Sequence, residues 1–494
     1  MDAIDSILTY QNDIEHEKIY LKGQIDYWAA KIKWLEKNQP KNQKAMANAR
    51  RNWGFNKKKF KDLLAAEFVH WLIDDRFPTG HLAIVRDVLA LLEPKYELED
   101  RREIPARRHD FLLCKNFHES RYYQKEALEA ALREGRGVIE SAVGTGKTDM
   151  MMSIVHALGM NNLIIVPSKP LLEQLQPQLE EHFGRRNVIR LGSAPLSKAK
   201  MRKLKKRPIR IASIHQIASA LRKGTLAAMI DDVDAMFIDE IHHAGSKSYT
   251  NLMESLEHVF HRFGFTGTFL RNDAKTLDLW GFLSTVLYRY PAHKAIKDGF
   301  LTPVEVITHE VEGIEKRMYQ SEYKANYCGV KKKKPVALLK KIQYIFENYV
   351  ATEPEADQVL ILVNRKDQCG LVIHEFLNEL GIENTYISGD SESDAITGAI
   401  KDFNDRKIQV LIGSQVIGEG IDIRTADHLI MAQGGKSEIA IVQAAGRLVR
   451  LARGKAVGYL HDFRFTGTKY MEKHYLVRRD IYRRNLAPKF KTVA

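Results

Sequence analysis

A chain of 494 residues, at about 150 residues per domain, has room for roughly three domains that each bury a core of their own. Its 44% hydrophobic and 28% charged residues, with 31 glycines and 14 prolines, exclude a disordered, collagen-like or single-module protein. The 76 Lys and Arg exceed the 62 Asp and Glu, and the resulting +14 favours a polyanionic partner. No apolar run approaches the roughly 20 residues that span a bilayer, and the opening MDAIDSILTY has neither the basic start nor the apolar core of a signal peptide. A membrane is therefore not expected as a partner, and the expected location is the cytoplasm. Cys114, Cys328 and Cys369 lie far apart without a CxxC spacing, so neither a zinc site nor a disulfide framework is expected.

In chain order, apolar residues at helical spacing from Ile4 to Leu35 (among them Ile14, Leu21, Ile25, Trp28 and Ile32) predict one or two amphipathic helices. Between Lys41 and Lys61 stand eight basic residues and no acid, interleaved with Trp53, Phe55 and Phe60, a mixture that suits phosphates and bases together. The run from Phe68 has strand character, Phe77 to Gly80 is a turn, and His81 to Leu92 reads as a helix. Residues 1–112 are thus expected to form an accessory α+β domain that binds nucleic acid. From Phe117 to Phe300, strand-like runs alternate with helical stretches, the pattern of a parallel sheet with crossover helices. Eleven basic residues and no acid lie between Arg185 and Arg210. After an exposed LysLysLysLysPro at 331–335 the alternation resumes, with strand candidates Val359 to Val363, Thr385 to Ile387, Val410 to Gly413 and His428 to Met431. The expected boundaries are 113–305 for the first α/β domain and 306–463 for the second. A basic C-terminal extension, 464–494, carries nine basic and two acidic residues.

The strongest local signal is SerAlaValGlyThrGlyLysThr, Ser141 to Thr148, between a strand-like ValIleGlu and a helical run. Glycines there let backbone N–H groups curl toward phosphate oxygens at a helix N-terminus, whose dipole favours anions. Lys147 would reach the β and γ phosphates, and the Thr148 hydroxyl would help to hold Mg²⁺. The strict phosphate-loop pattern has Gly where this chain has Ser141. Asp239 and Glu240 follow the apolar run Ala235 to Ile238. Two carboxylates at a strand end supply what hydrolysis needs: Asp239 to hold Mg²⁺ through water, Glu240 to orient and deprotonate the attacking water. His242 and His243 are neighbours on what reads as an extended segment and would point apart, so His242 is assigned to coupling rather than to metal. Arg447 and Arg450, three residues apart, would share a helix face and serve as arginine fingers.

Together these motifs resemble superfamily 2 helicases of the DExH type. Ser141 to Thr148 resembles motif I and AspGluIleHis at Asp239 motif II. ArgTyrTyrGln at Arg121 resembles the Q-motif, the run from Ile165 motif Ia, and IleAlaSerIleHisGln from Ile211 a backbone-contacting motif. PheThrGlyThrPheLeuArg from Phe265 resembles motif III, ValAsnArg from Val363 motif IV, Ser414 to Asp422 motif V, and Gln443 to Arg450 motif VI. The resemblance implies an α/β fold of two tandem RecA-like parallel-sheet domains with a small α+β N-terminal accessory domain. It implies catalytic roles for Lys147, Asp239, Glu240, His242, Gln443, Arg447 and Arg450. ATP would lie against Arg121, Gln124, Val143, Gly144, Thr145, Gly146, Lys147, Thr148, Gly420 and Asp422, with Mg²⁺ at Thr148 and Asp239. Nucleic acid would lie against Pro167, Ser168, Lys169, Ser213, Gln216, Asn364, Arg365, Ser388, Gly389 and Ser414.

Within the superfamily, PheThrGlyThrPheLeuArgAsn from Phe265, TyrGlnLysGluAla from Tyr123 and ArgPheProThrGlyHisLeu from Arg76 resemble phage UvsW-type recombination and branch-migration helicases. The helical, basic-aromatic region before Arg76 departs from that family, and Ile241 and His242 replace the last two positions of a DEAD sequence. The resemblance implies an ATP-dependent DNA helicase or translocase, moving 3′ to 5′, that remodels forks, D-loops and four-way junctions in recombination, repair or replication. Its partners would be single-stranded and branched DNA, with a recombination or replication protein as a further one. It would work as a monomer, in the host cytoplasm if phage-encoded. An RNA-directed DExH ATPase, or a nucleic-acid-stimulated ATPase switch that separates no strands, are the alternatives.

Overall fold

A computed structural model describes residues 9–11, 15–38, 43–65, 68–70, 79–92, 104–111, 121–243, 247–256, 258–267, 275–329, 334–351, 357–364, 369–388, 390–414, 423–452 and 455–493. The chain divides into two compact units, one of residues 1–103 with 244–253 and 270–285, the other of the remainder. The segments 244–253 and 270–285 thus cluster with the N-terminal region although they lie within the span expected of the first α/β domain.

In the first unit, strands β1 (Thr9–Gln11) and β2 (Phe68–His70) pair antiparallel, Tyr10 opposite Val69. Between them helices α1 (Glu15–Asn38) and α2 (Gln43–Ala65) pack against each other as a hairpin. Ala49 is buried and Ile25, Trp28, Ile32 and Trp53 are half-buried, as the helical spacing of apolar residues requires. An Arg50–Glu36 ion pair at 3.3 Å ties the two helices. Of the predicted turn, Phe77 and Pro78 lie outside the described residues, while Thr79–His81 form a short 3₁₀ segment and helix α3 (Leu82–Leu92) follows.

The second unit holds two seven-stranded parallel sheets. The first contains β3 (Arg136–Ser141), β4 (Asn162–Val166), β5 (Val188–Arg190), β6 (Ile209–Ser213), β7 (Ala235–Ile238), β8 (His261–Thr266) and β9 (Val286–Tyr290), in the order β5-β6-β4-β7-β8-β3-β9. The second contains β10 (Val304–Glu312), β11 (Val359–Val363), β12 (Asn384–Ile387), β13 (Val410–Gly413), β14 (His428–Ala432), β15 (Gly458–Thr466) and β16 (Lys489–Val493), in the order β12-β13-β11-β14-β15-β10-β16. Counted from the first strand of each, the two orders are identical, so the fold is repeated where the sequence displays no repeat. Helices cover both faces, so central strands such as Leu163 to Val166 and Val359 to Val363 are buried along their length. This is why they read as unbroken apolar runs rather than alternating ones.

In the first unit the strand Thr9–Gln11 lies within the stretch expected to be helical, and two features of the second unit also depart from the sequence-based expectations. Residues 464–494 are integral to the second sheet. They finish β15, form a helix (Met471–Leu486) and end in β16, the counterpart of β9, which pairs with β10. Several of the cations there are occupied: Arg478 is buried with Nε and Nη2 donating to Asp462, at 2.8 and 2.9 Å, and Arg464 bridges Glu310 and Glu472. The second departure is that Cys328 and Cys369 are bonded to each other. A separation of 41 residues in sequence concealed a contact that the fold creates.

Neighbouring strands of the second sheet also bring together three buried histidines. His461 Nδ1 lies 3.0 Å from His309 Nε2 and its Nε2 3.0 Å from His428 Nδ1, while Asp357 Oδ2 is 3.3 Å from His428 Nε2. Burial pushes His309 down to about 4, aided by Lys341, and holds His461 well below the ordinary range, with the neighbouring histidines adding to the effect. Both must therefore gain protons on unfolding at mildly acidic pH. Their neutral, buried state contributes fully above about pH 6.5, the unfolded value, and is lost as pH falls toward 4. His309 alone accounts for about 3 kcal/mol over that window. Thermal melts at stepped pH are expected to show this loss, and His309→Phe to flatten it. An equally steep loss in the variant would contradict the assignment.

Candidate functional site

The loop after β3 curls over the start of α4 (Lys147–Leu158), and Gly144 and Gly146 take φ of 88° and 83°, values that suit glycine. A Cβ on Gly146 would also lie 2.5 Å from Gln124 Nε2 and 2.7 Å from Asp149 Oδ2. Thr145 anchors the curl: its hydroxyl donates to Ala142 O at 2.7 Å and meets Ser141 Oγ at 2.6 Å. Ser141, the departure from the strict pattern, therefore has a bonding role of its own. Tyr123 and Gln124, at the start of the preceding helix (Tyr122–Glu134), donate to Thr145 O at 2.9 and 3.3 Å. The Gln124 Oε1 accepts from Arg121 N at 2.9 Å.

Strand β7 delivers Asp239 and Glu240 to the same place. Asp239 N donates to Ile165 O at 2.9 Å, and Glu240 stands at φ 48°, an uncommon conformation that turns its carboxylate back into the cleft. Lys147 Nζ lies 3.8 Å from Glu240 Oε1. Burial and the Glu240 charge push the Asp239 carboxyl up to about 6, against the pull of Lys147. The Asp239 and Glu240 carboxylates and Thr148 line the same cleft, an oxygen donor set whose chemistry fits a hard divalent cation such as Mg²⁺. Among the described residues no group of three or more His, Cys, Asp or Glu forms a separate metal site.

His242 lies on a 3₁₀ turn, Ile241–His243, rather than on the extended segment expected. Its Nδ1 is 3.2 Å from Glu240 Oε2 and 3.0 Å from Thr266 Oγ1 at the end of β8, and its Nε2 is 3.2 Å from Gln443 Nε2. The Gln443 amide nitrogen is the donor of that contact, and Nδ1 faces Glu240 and Thr266. One imidazole thus connects the carboxylate of the first sheet to a helix of the second (Glu438–Leu448). That helix ends at Leu448, so Arg447 is on its last turn and Arg450 beyond it, not on one helical face as expected. Both still line a cleft of about 590 Å³ with Arg121, Val143, Gly144, Gly146, Lys147, Thr148, Asp239, Glu240 and Gln443. Arg450 donates to Ile423 O at 3.1 Å, and burial lowers its guanidinium to about 10, so it stays charged at neutral pH. A Cβ on Gly446 would lie 2.6 Å from Val143 Cβ, so only glycine lets the phosphate loop approach this helix.

The expected nucleic-acid residues fall at the carboxyl ends of parallel strands, where open α/β sheets present ligands. Pro167, Ser168 and Lys169 follow β4, Ser213 ends β6, Asn364 follows β11, Ser388 follows β12 and Ser414 follows β13. Ser168 and Ser414 hold buried hydroxyls with no partner among the described residues. Ser213 and Gln216 are engaged with each other in a capping box, with Gln216 Oε1 accepting from Ser213 N at 3.0 Å. Arg365, Gly389, Gly420, Asp422 and the motif III stretch after Gly267 lie outside the described residues. Thr266, Gly446, Phe300 and Arg424 also belong to the site but were not singled out. Thr266 and Gly446 lie inside quoted motifs, whereas Phe300 and Arg424 carry no local pattern.

A family model described as "Type III restriction enzyme, res subunit" matches residues 117–271, and one described as "Helicase conserved C-terminal domain" matches 339–452. A protein of Sulfolobus islandicus filamentous virus named as a helicase is 23% identical over 70% of this chain and 64% of its own length. "DNA 3'-5' translocase XPB2" of Sulfurisphaera tokodaii is 26% identical over 72% of this chain and 85% of its own, and "ATP-dependent DNA helicase uvsW" of Enterobacteria phage T4 21% over 74% of each. Among solved structures, the Type ISP restriction-modification enzyme LlaBIII bound to DNA aligns at TM-score 0.57 and 19% identity, over 76% of this chain and 31% of that one. This likeness is one of fold, two tandem RecA-like domains. With both domain models in tandem over more than half of its length, the chain belongs to the superfamily 2 helicases, ATP-hydrolysing enzymes of nucleic acids, and resembles the UvsW-type members.

Proposed function

We propose that this chain is an ATP-dependent DNA helicase or translocase that moves 3′ to 5′ and remodels branched DNA. The observation that carries the reading is the composite cleft, in which the loop and carboxylates of one sheet face Arg447 and Arg450 of the other across the Gln443–His242 contact. DNA as the track, and its polarity, are supported by relatives named as a DNA helicase and a DNA 3′-5′ translocase. A cleft completed within one chain supports function as a monomer. No described helix is long and apolar enough to cross a membrane.

In this reading the loop N–H groups and Lys147 hold the ATP phosphates, while Arg121 and Gln124 lie at the adenine end. Thr148 and Asp239 would hold Mg²⁺, which would supply positive charge against the charge developing on the phosphates. Glu240 orients the attacking water and takes its proton. Arg447 and Arg450 approach the same phosphates only when the two sheets are closed together, so hydrolysis and closure are linked. Residues at the strand ends of both sheets hold the DNA backbone and are carried apart and together in each cycle.

His242 stands where that linkage must pass. His242→Ala is expected to lower basal ATPase through the lost contact with Glu240 and, beyond that, to lose most of the stimulation by DNA. Stimulation at the normal ratio would remove His242 from the coupling path. The proposal itself is tested by strand displacement on forked DNA duplexes with a 3′ or a 5′ tail, beside matched RNA. ATP-dependent displacement of the 3′-tailed DNA is expected. ATP consumption without displacement would favour a switch, and activity on RNA alone would reassign the track.

A further inference from the structure

The 23-residue helix α2 turns one side toward α1, with Ala49 buried and Asn52, Trp53 and Asn56 half-buried, and leaves the other exposed. At the centre of the exposed side is Gly54. Glycine is disfavoured inside helices, and nothing lies within 4 Å of a Cβ placed there, so packing does not call for it. Its helical neighbours three and four residues away on either side are Arg50, Arg51, Lys57 and Lys58, all exposed. The missing side chain therefore leaves a bare backbone floor ringed by four cations. Phe55, 67% exposed, stands beside it, between Arg51 and Lys58 on the same stripe. Arg50 is tied to Glu36, and Lys57 lies 4.9 Å over the Trp53 ring. Arg51 and Lys58 have no ion-pair partner among the described residues.

We propose that this face binds a single strand of DNA, with phosphates seated over Gly54 between Arg51 and Lys58 and a base stacked on Phe55. A cationic floor beside one exposed aromatic matches the two chemistries of an unpaired strand, whose backbone is anionic and whose bases present open faces. A second copy of the same surface is disfavoured, because Lys41 to Lys61 contains no acid and the two faces would repel. The proposal rests on the DNA reading above and adds a strand contact carried by the N-terminal unit rather than by the helicase motifs.

The test uses the full chain and a fluorescein-labelled oligodeoxythymidine of about 20 nucleotides, titrated at several salt concentrations without nucleotide. Phe55→Ala is expected to bind about tenfold more weakly, the low-to-middle range for one lost base stack, while Phe55→Trp keeps its affinity. Arg51→Gln with Lys58→Gln should lower the logarithmic salt slope by about 1.4, at about 0.7 per phosphate contact on a single strand. Gly54→Ala should raise the melting temperature yet weaken binding, a combination that a purely structural role for this face does not produce. Folded variants with wild-type affinity and slope would overturn the proposal while leaving the DNA reading intact, provided that DNA still stimulates ATP hydrolysis. A wild-type chain that neither binds the strand nor is stimulated by it would instead overturn the DNA reading and this contact with it.

Discussion

Lys147→Ala is expected to lower DNA-stimulated ATP turnover by about 10³-fold or more and to weaken nucleotide binding. Removing one neutral oxyanion donor typically costs about 10²–10³ in turnover, and Lys147 brings a full charge to phosphates that gain charge during the reaction. Its loss acts twice. Lys147 Nζ lies 3.8 Å from Glu240 Oε1 and draws the Asp239 carboxyl down, so the variant leaves two adjacent carboxylates with less positive charge between them. Asp239 would then hold its proton to a higher pH and be a poorer ligand for a cation. Glu240→Gln separates the effects: it keeps the shape and the cationic Lys147, so ATP binding should survive while turnover collapses. Steady-state ATPase and nucleotide titration on both variants check this, and a Lys147→Ala enzyme within tenfold of wild type would remove Lys147 from phosphate binding.

Arg450→Ala should cost about 10³-fold in turnover with a smaller effect on ATP affinity, because an arginine finger stabilises charge that exists fully only in the transition state. Two observations favour this role over that of a surface cation. Arg450 is half-buried in the cleft, and its guanidinium remains charged although desolvation there lowers it to about 10. One arm is already fixed on Ile423 O at 3.1 Å, so the group is held for use rather than free in solvent. Arg450→Lys should not rescue, since a lysine cannot keep the Ile423 carbonyl while also presenting a planar fork to phosphate. Normal turnover in Arg450→Ala, with Arg447→Ala impaired, would leave Arg447 as the finger.

Much of this site was legible in the sequence because its chemistry is local. A loop that must curl around phosphate needs glycines at fixed offsets, so Gly144, Gly146, Lys147 and Thr148 announce themselves. Asp239 and Glu240 are visible because they end an apolar strand. What escaped notice depends on distant chain. Gly446 is required by Val143, some three hundred positions earlier, and no local pattern reports that contact. Phe300 enters the cleft from the link between the two sheets, and the pairing of Cys328 with Cys369 exists only once helices of the second domain have packed. The final thirty residues looked like a charged tail because cations dominate their composition. Arg478 shows why composition misled: its charge is spent on the buried Asp462, and β16 completes the sheet. The identical strand orders were equally hidden, since parallel strands need only be apolar and leave few identities to compare.

The most direct test is steady-state ATP hydrolysis by the full chain, measured without nucleic acid and with single-stranded DNA, forked DNA, a four-way junction and matched RNA, beside Lys147→Ala. Strong stimulation by DNA, highest on branched forms and lost in the variant, is the predicted result. Hydrolysis unaffected by every DNA, or stimulated by RNA alone, would contradict the account.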